Sequence, residues 1–328
     1  MISGHNTIIY SDNNNTIKST IFKFVDTFLK DTDFADISEK KIRIQTESGE
    51  WVTIIAVKRR KYQGNIYKLE TELGYTYFGL KSSLKSYSNK LIQRYIGNNI
   101  ALSFPTMIQT NSICIYDKIF SFSYEFGYII GVYLSAGDVL ENSIRLIGFN
   151  NRVKEYANIL KLQYFTVQYP EKGKPDEIHI TMNGFTEFIQ NNCGISTSMK
   201  HIPHFAYNSS DDFLKGIIFG YIYDNQVIKY NLCNAEIRSL YPSVLLGLQY
   251  IFSYFNISSV IKKQNNYSFL ELTSSFQKII QEKNTEKKIY RQDNVIFEQM
   301  LKHKSYLYSI ITEKDTFCLS NGIIIQNP

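Results

Sequence analysis

Asn327, next to last in a sequence of 328 residues, carries a side chain that can cut its own backbone. Its amide nitrogen can attack its own main-chain carbonyl, closing a succinimide and releasing whatever follows. An amide is a poor nucleophile, so the step needs a donor or acid near that carbonyl. Gln326 stands immediately before it and can donate a hydrogen bond, but it delivers no proton near neutral pH. Pro328 follows, with neither hydroxyl nor thiol to accept an acyl group. The same segment also reads as ordinary structure. Ile323 and Ile325 alternate with other residues after Asn321-Gly322, the pattern of a hairpin and a final strand.

Other residues with chemical potential are more isolated. His201 and His204 flank Ile202-Pro203, and the proline keeps them off a single helical face, with no third ligand nearby in sequence. Lys58-Arg59-Arg60-Lys61 follows a strand pattern and suits either phosphate contacts or a solvated turn. Cys114, Cys193, Cys233 and Cys318 are spaced too widely for a zinc knuckle or a CxxC pair, and read as buried free thiols of a reducing compartment.

The elements that must position these residues fall into three blocks. Up to about Pro105, short alternating segments (Thr7–Tyr10, Lys41–Thr46, Trp51–Arg60, Asn65–Gly74, Asn98–Pro105) predict an all-β unit with one helix around Ile17–Leu29. From about Tyr124 to Glu282 the segments lengthen and repeat. Phe126–Val139 and Phe213–Val227 predict apolar helices, each followed by strand, a second helix (Asn151–Lys161, Ser239–Phe255) and more strand. Tandem halves imply a pseudo-twofold domain. After the charged stretch Gln281–Asp293 the strand pattern returns and runs to Pro328. A domain inserted in a β-rich unit is the simplest organisation, with boundaries expected at 1–117, 118–285 and 286–328.

Composition agrees with a folded chain of about two domains: 44% hydrophobic, 20% charged, and a formal net charge of +6 that is compatible with nucleic acid. Its 25 Tyr and 22 Phe can fill cores or stack on bases. No apolar run reaches the ~20 residues of a bilayer span, and the start carries no charged, apolar, cleavable leader. A cytoplasmic or nuclear protein is expected.

In this order the segments resemble an intein with an embedded two-repeat LAGLIDADG homing endonuclease. Gly64–Gly74 and Gly97–Pro105 resemble N-terminal splice blocks, and Leu307–Pro328 the C-terminal one. Phe126–Val139 and Phe213–Val227 resemble the two LAGLIDADG helices, and Met199–Pro203 the Lys-x-Ile-Pro element before the second. The resemblance implies an α+β protein: an all-β Hint-type splicing fold interrupted by a pseudo-twofold αββαββα endonuclease domain. It implies helices crossing at Gly127, Gly131 and Gly220, acids at the helix ends that hold divalent metal such as Mg²⁺, and sheets that read double-stranded DNA over roughly twenty base pairs. It also implies a monomer spliced out of a flanking extein host protein.

Against that family the motifs are degenerate. An intein starts with Cys or Ser; here Met1 stands first, with Gly4 at the family's glycine and Ser3 as the nearby hydroxyl. Ser83 replaces the His of the Thr-x-x-His element, and Gln326 the His before the terminal Asn. Ser309 and Asp315 stand where an Asp and a His often assist. At the acid position the first helix has Ala136 and the second Asn225, or Tyr221 in another register. Asp138 and Asp224 are the neighbouring carboxylates that could hold a metal through a shifted helix end. Lys200 matches a lysine that assists cleavage, or is a solvated loop charge. The expected function is a self-splicing element with a DNA endonuclease domain, both impaired as written. The alternative is a non-cleaving, sequence-specific DNA-binding derivative.

Overall fold

The computed structural model describes residues 1–13, 15–71, 74–78, 99–103, 110–147, 151–169, 176–195, 200–224, 236–255, 257, 259–264, 267–272, 290–320 and 322–326. Two compact units emerge. The first joins Met1–Thr106, Phe252–Val260 and Glu282–Pro328; the second joins Met107–Ile251 and Ile261–Gln281.

The first unit opens with strands β1 (Ile2–Ser3), β2 (Thr7–Asp12) and β3 (Asn15–Thr20), helix α1 (Ile21–Phe28), and strands β4 (Phe34–Asp36), β5 (Arg43–Gln45), β6 (Trp51–Thr71), β7 (Gly74–Phe78) and β8 (Asn99–Ser103). The helix expected from Ile17 begins only at Ile21, because Asn15–Thr20 pairs antiparallel with β2. Its β-branched Thr16, Ile17 and Thr20 suit a strand better than a helix. From Ile21 onward the apolar spacing takes over, and Ile21, Phe24 and Val25 bury one helical face. Strand β6 also departs from expectation: the strands expected at Trp51–Arg60 and Asn65–Gly74 are one, running without a break through 61–64. The Tyr62 ring lies over Gly64, where a Cβ would stand 2.7 Å from Oη, and the hydroxyl donates to the Asn65 carbonyl at 3.0 Å.

The second unit begins with a hairpin, β9 (Ser112–Ile115) and β10 (Lys118–Ser121), and continues through α2 (Tyr124–Ala136), β11 (Gly137–Leu140), β12 (Ser143–Ile147), α3 (Asn151–Ile159), β13 (Tyr164–Val167), β14 (Glu177–Ile180) and α4 (Phe185–Cys193). Then come α5 (Asp211–Asp224), β15 (Glu236–Ser239), α6 (Pro242–Tyr254), β16 (Ser259–Gln264) and β17 (Tyr267–Leu272), of which the end of α6 from Phe252 and the start of β16 up to Val260 count with the first unit. The sheets order as β11-β12-β14-β13 and β15-β17-β16. Ile144, Leu146, Ile178 and Ile180 form the buried face of the first. Aromatic mass goes largely to the core: Phe120, Phe122, Phe126, Phe185, Phe205 and Phe213 pack ring against ring around the first turns of α2 and α5.

Helices α2 and α5 touch backbone to backbone. A Cβ on Gly127 would fall 2.0 Å from the Phe213 carbonyl oxygen, and one on Gly131 2.3 Å from that of Ile217. Reciprocally, a Cβ on Gly216 would fall 2.2 Å from the Tyr124 oxygen, and one on Gly220 2.2 Å from that of Tyr128. One constant step along the sequence therefore carries Tyr124 onto Phe213, Gly127 onto Gly216, Tyr128 onto Ile217 and Gly131 onto Gly220. That is a local twofold relation, and it adds Gly216 to the glycines expected at the crossing.

The chain returns to the first unit with β18 (Tyr290–Thr312), β19 (Thr316–Cys318) and β20 (Ile324–Gln326). Strand β18 runs antiparallel to β6 from Val295 opposite Thr71 to Thr312 opposite Ile54. Strand β1 inserts between β18 and β7, with Ile2 opposite both Tyr308 and Phe78. The hairpin expected at Asn321-Gly322 joins β19 to β20, and Gly322 takes the left-handed φ of 85° there. Among the described residues no helix is long and apolar enough to cross a membrane.

Gly131→Ala should lower the unfolding free energy by about 2 kcal/mol or more, because the obstacle is a backbone carbonyl that cannot rotate away. Urea melts of the purified variant measure this, and a change within experimental error would contradict the close crossing.

Candidate functional site

Two places gather the chemistry-bearing residues. The first lies where the two ends of the sequence enter the first unit. Ile2 and Ile8 share one hydrophobic core with Phe317, Leu319, Ile323 and Ile325. The Ser320 backbone N–H donates to the Thr7 carbonyl at 2.8 Å, and the two hydroxyls are hydrogen-bonded. Ser3 is fully buried in β1. Its carbonyl accepts from the Asn6 backbone and side-chain nitrogens, and its hydroxyl accepts from the His5 N–H at 3.5 Å. Gly4 is required by space: a Cβ would stand 2.6 Å from the Tyr308 ring and 2.7 Å from Phe22. Burial draws the Met1 amine down to about 6, so this entry point is poorly hydrated.

At the other end, Gln326 closes β20 opposite Thr316 with its side chain exposed. Asn327, Pro328 and Ser83 lie outside the described residues. Ser309 is buried in β18, opposite Lys58. Asp315 occupies an exposed turn between β18 and β19 with φ of 55°.

The second place is the C-terminal end of α2. Ala136 is the last helical residue, and Gly137 leaves with φ of −89° straight into β11. Lys200 is 2% exposed, which removes the alternative of a solvated loop charge. Its ammonium donates to the Tyr133 carbonyl at 2.8 Å and to the Gly137 carbonyl, and lies over the Tyr133 and Tyr241 rings at 4.7 and 5.2 Å. Ser243, at the start of α6, holds the Lys200 carbonyl from behind. A cation here faces the negative pole of the helix dipole and adds a second donor to the Tyr133 carbonyl, which already accepts from the Gly137 N–H. Burial draws Lys200 down to about 8, with the neighbouring Asp138 and Cys193 acting in the opposite direction.

Asp138 is the first outward residue of β11. Its carboxylate accepts from the Val139 N–H at 2.9 Å and from Arg145 across the strand pair at 3.1 Å. Arg145 also lies 3.8 Å from Glu177, which bonds His179 at 3.0 Å. The twofold relation of the glycines equates Ala136 with Asn225, which falls outside the described residues, and not with Tyr221, which is buried within α5. Asp224 ends α5, and its side chain is outside the described set. His201 and His204 have rings 6.1 Å apart, and no cluster of three or more metal-ligating side chains occurs among the described residues.

These residues do not fit a divalent cation at the end of α2. Ala136 offers no side-chain oxygen, Asp138 is engaged by Arg145, and the Lys200 ammonium already holds the Gly137 carbonyl. A hard cation needs several oxygens and would sit here beside two fixed positive charges.

No family model matches the chain. It is 24% identical over 274 residues to the DNA-directed RNA polymerase subunit Rpo1C of Methanocaldococcus jannaschii, covering 71% of this chain and 32% of that one. The chain thus spans about a third of the length of that curated relative. Solved structures similar to it include the transcription factor IIB Mvu mini-intein, at 6% identity and a TM-score of 0.36 over 100% of both chains. They also include the homing endonuclease I-DmoI in complex with DNA and Mn, at 10% identity and a TM-score of 0.35 over 49% of this chain and 94% of that one. Inteins and LAGLIDADG proteins, which the sequence blocks resemble, are thus among the structures to which this chain is similar.

The Lys200 environment has a pH signature. A lysine lowered in the folded state weighs against folding while both states are protonated, below about pH 8, and that cost is relieved as pH rises toward the unfolded value of 10.5. Relative to Lys200→Met, the wild-type unfolding free energy should therefore rise by about 2 kcal/mol from about pH 7.5 to about pH 9.5. Paired urea titrations across that range check it, and a difference that stays flat would contradict the buried ammonium.

Proposed function

We propose that this chain is an intein, a protein self-splicing element carried within a host protein, whose second unit is a LAGLIDADG-type DNA endonuclease domain. The observation that carries the reading is the shared core of the first unit, in which Ile2 and Ile8 pack with Ile323 and Ile325 while Thr7 bonds Ser320. An element that leaves a host and rejoins its flanks needs both of its ends in one place. The match to about a third of a longer polymerase subunit suits such an element.

In this reading the domains are the splicing fold in 1–117 and 286–328 and the endonuclease domain in 118–285. Asn327 performs the succinimide step with Gln326 as a weak donor, and Met1 offers no nucleophile for the first acyl transfer. Ser3 does not replace it, since its hydroxyl is buried inside the sheet. Full splicing stops before it begins, and slow cleavage after Asn327 is what remains. The endonuclease domain lacks a carboxylate at the end of α2, so double-stranded DNA of roughly twenty base pairs is a binding partner and not a substrate. The chain acts as a monomer in the cytoplasm or nucleus, wherever its host resides. The filled helix end also favours the second reading, a sequence-specific DNA-binding protein that does not cut.

Placed between two reporter proteins, the chain as written should join no flanks and should lose only its C-terminal reporter, slowly, by cleavage after Asn327. The double change Met1→Cys and Pro328→Cys should release the N-terminal reporter when thiol is added. A folded double variant that stays intact under thiol counts against the splicing origin. Separately, duplex pools should stay uncut with Mg²⁺ or Mn²⁺; cutting that Asp138→Asn abolishes would restore the active endonuclease and overturn the non-cleaving reading.

A further inference from the structure

We infer that the middle of the β6–β18 ladder in the first unit is a docking surface for double-stranded DNA, distinct from the sheets of the second unit. The inference goes beyond the proposed splicing element and stands whether or not the second unit binds DNA.

The ladder is a bare ribbon at this point. Strand β4 pairs with β6 only as far as Lys58, β7 only from Tyr67 onward, and β1 reaches β18 only at Leu307 and Tyr308. Strand β8 meets β18 at Tyr290–Asn294. Between Arg59 and Ile66 on one side and Leu301 and Tyr306 on the other, the described strands pair only with each other. Lys58, Arg60, Lys61, Lys302 and Lys304 are exposed there. Neither residues 58–69 nor residues 299–312 contain a single Asp or Glu. Arg59 is tied to acids, at 3.1 Å from Asp26 and 2.9 Å from Asp33.

Directly opposed residues of an antiparallel pair share a face, and the face alternates along each strand. Lys61, Gln63 and Asn65 therefore stand beside Tyr306, Lys304 and Lys302. All but Tyr306 are exposed. The opposite face is closed down by Tyr62, which covers Gly64 and lies against His303 at 6.4 Å between ring centroids. One side of the ribbon is thus a row of lysines with two carboxamides between them. Lysine suits phosphates and guanine edges, Gln and Asn suit adenine edges, and a two-stranded ribbon fits the B-form major groove, about 12 Å wide. The deep, narrow major groove of A-form RNA would not admit it.

The second unit's sheets look different. Arg145 faces Asp138 and Glu177, Arg238 faces Glu236 at 3.7 Å, and Lys262 is paired with Glu271. Those cations are already compensated, whereas Lys61, Lys302 and Lys304 of the ribbon have no acidic partner among the described residues.

The test is fluorescence anisotropy of the full chain with a labelled mixed-sequence DNA duplex over a salt series. The triple variant Lys61→Ala, Lys302→Ala, Lys304→Ala should bind about tenfold or more weakly, and the slope of log affinity against log salt should fall by about one per lysine. The side chains are exposed, so thermal melts should be unchanged; Gln63→Ala with Asn65→Ala, which keeps all the charge, should lose discrimination among duplex sequences. Unchanged affinity and slope in the triple variant would overturn the inference. So would competition by duplex RNA or phosphatidylserine vesicles as effective as that by DNA. If Arg238→Ala with Lys262→Ala abolishes binding while the ribbon variant does not, DNA binding belongs to the second unit and the ribbon inference fails alone.

Discussion

The first unit depends on the antiparallel ladder between β6 and β18, which ties segments separated in sequence by the whole second unit. Its hydrogen bonds run from Ile54 to Thr71 against Val295 to Thr312. Without it β1 has no neighbour on its β18 side, and the last hairpin has no sheet to pack on. Such a ladder closes a very long loop before its contacts reward it, which costs entropy that only an independently compact insert can reduce. The second unit is such an insert, with its own glycine crossing and its own aromatic core.

That crossing rests on backbone contact and not on side-chain chemistry. Four glycines at the α2–α5 contact are held by backbone geometry, and each added Cβ would meet a carbonyl oxygen. Ala136, the last residue of α2, is not among those contacts, so its identity leaves the crossing intact. Lys200 answers the local electrostatics: its ammonium donates to the Tyr133 and Gly137 carbonyls, and the Tyr133 and Tyr241 rings around it favour a cation. The same ammonium makes the site hostile to a second cation.

The charge distribution follows a similar division. In the second unit's described sheets, Arg145 and Lys262 meet acids on adjacent strands, and Arg238 meets Glu236 on its own strand. On the ribbon, 58–69 and 299–312 supply lysine and arginine without acids, and Lys58, Arg60, Lys61, Lys302 and Lys304 are exposed, while Arg59 reaches Asp26 and Asp33.

The sequence by itself determined the bracketed order of elements, the repeated helices and most of the crossing glycines, because apolar period and small-residue spacing are local properties of the chain. It also fixed the residue types at Ala136 and Gln326, since neither can supply a carboxylate or an imidazole wherever the fold puts it. Tertiary structure decided the rest. Gly216 carries no local mark of a crossing residue, and only its contact with the Tyr124 carbonyl places it there. Gln63-Gly64-Asn65 carries turn residues, yet β18 on the facing side holds it straight as strand. Lys200 has the same local signature as any loop lysine, and only the arrival of α2 and α6 around it turns a solvated charge into a buried helix cap.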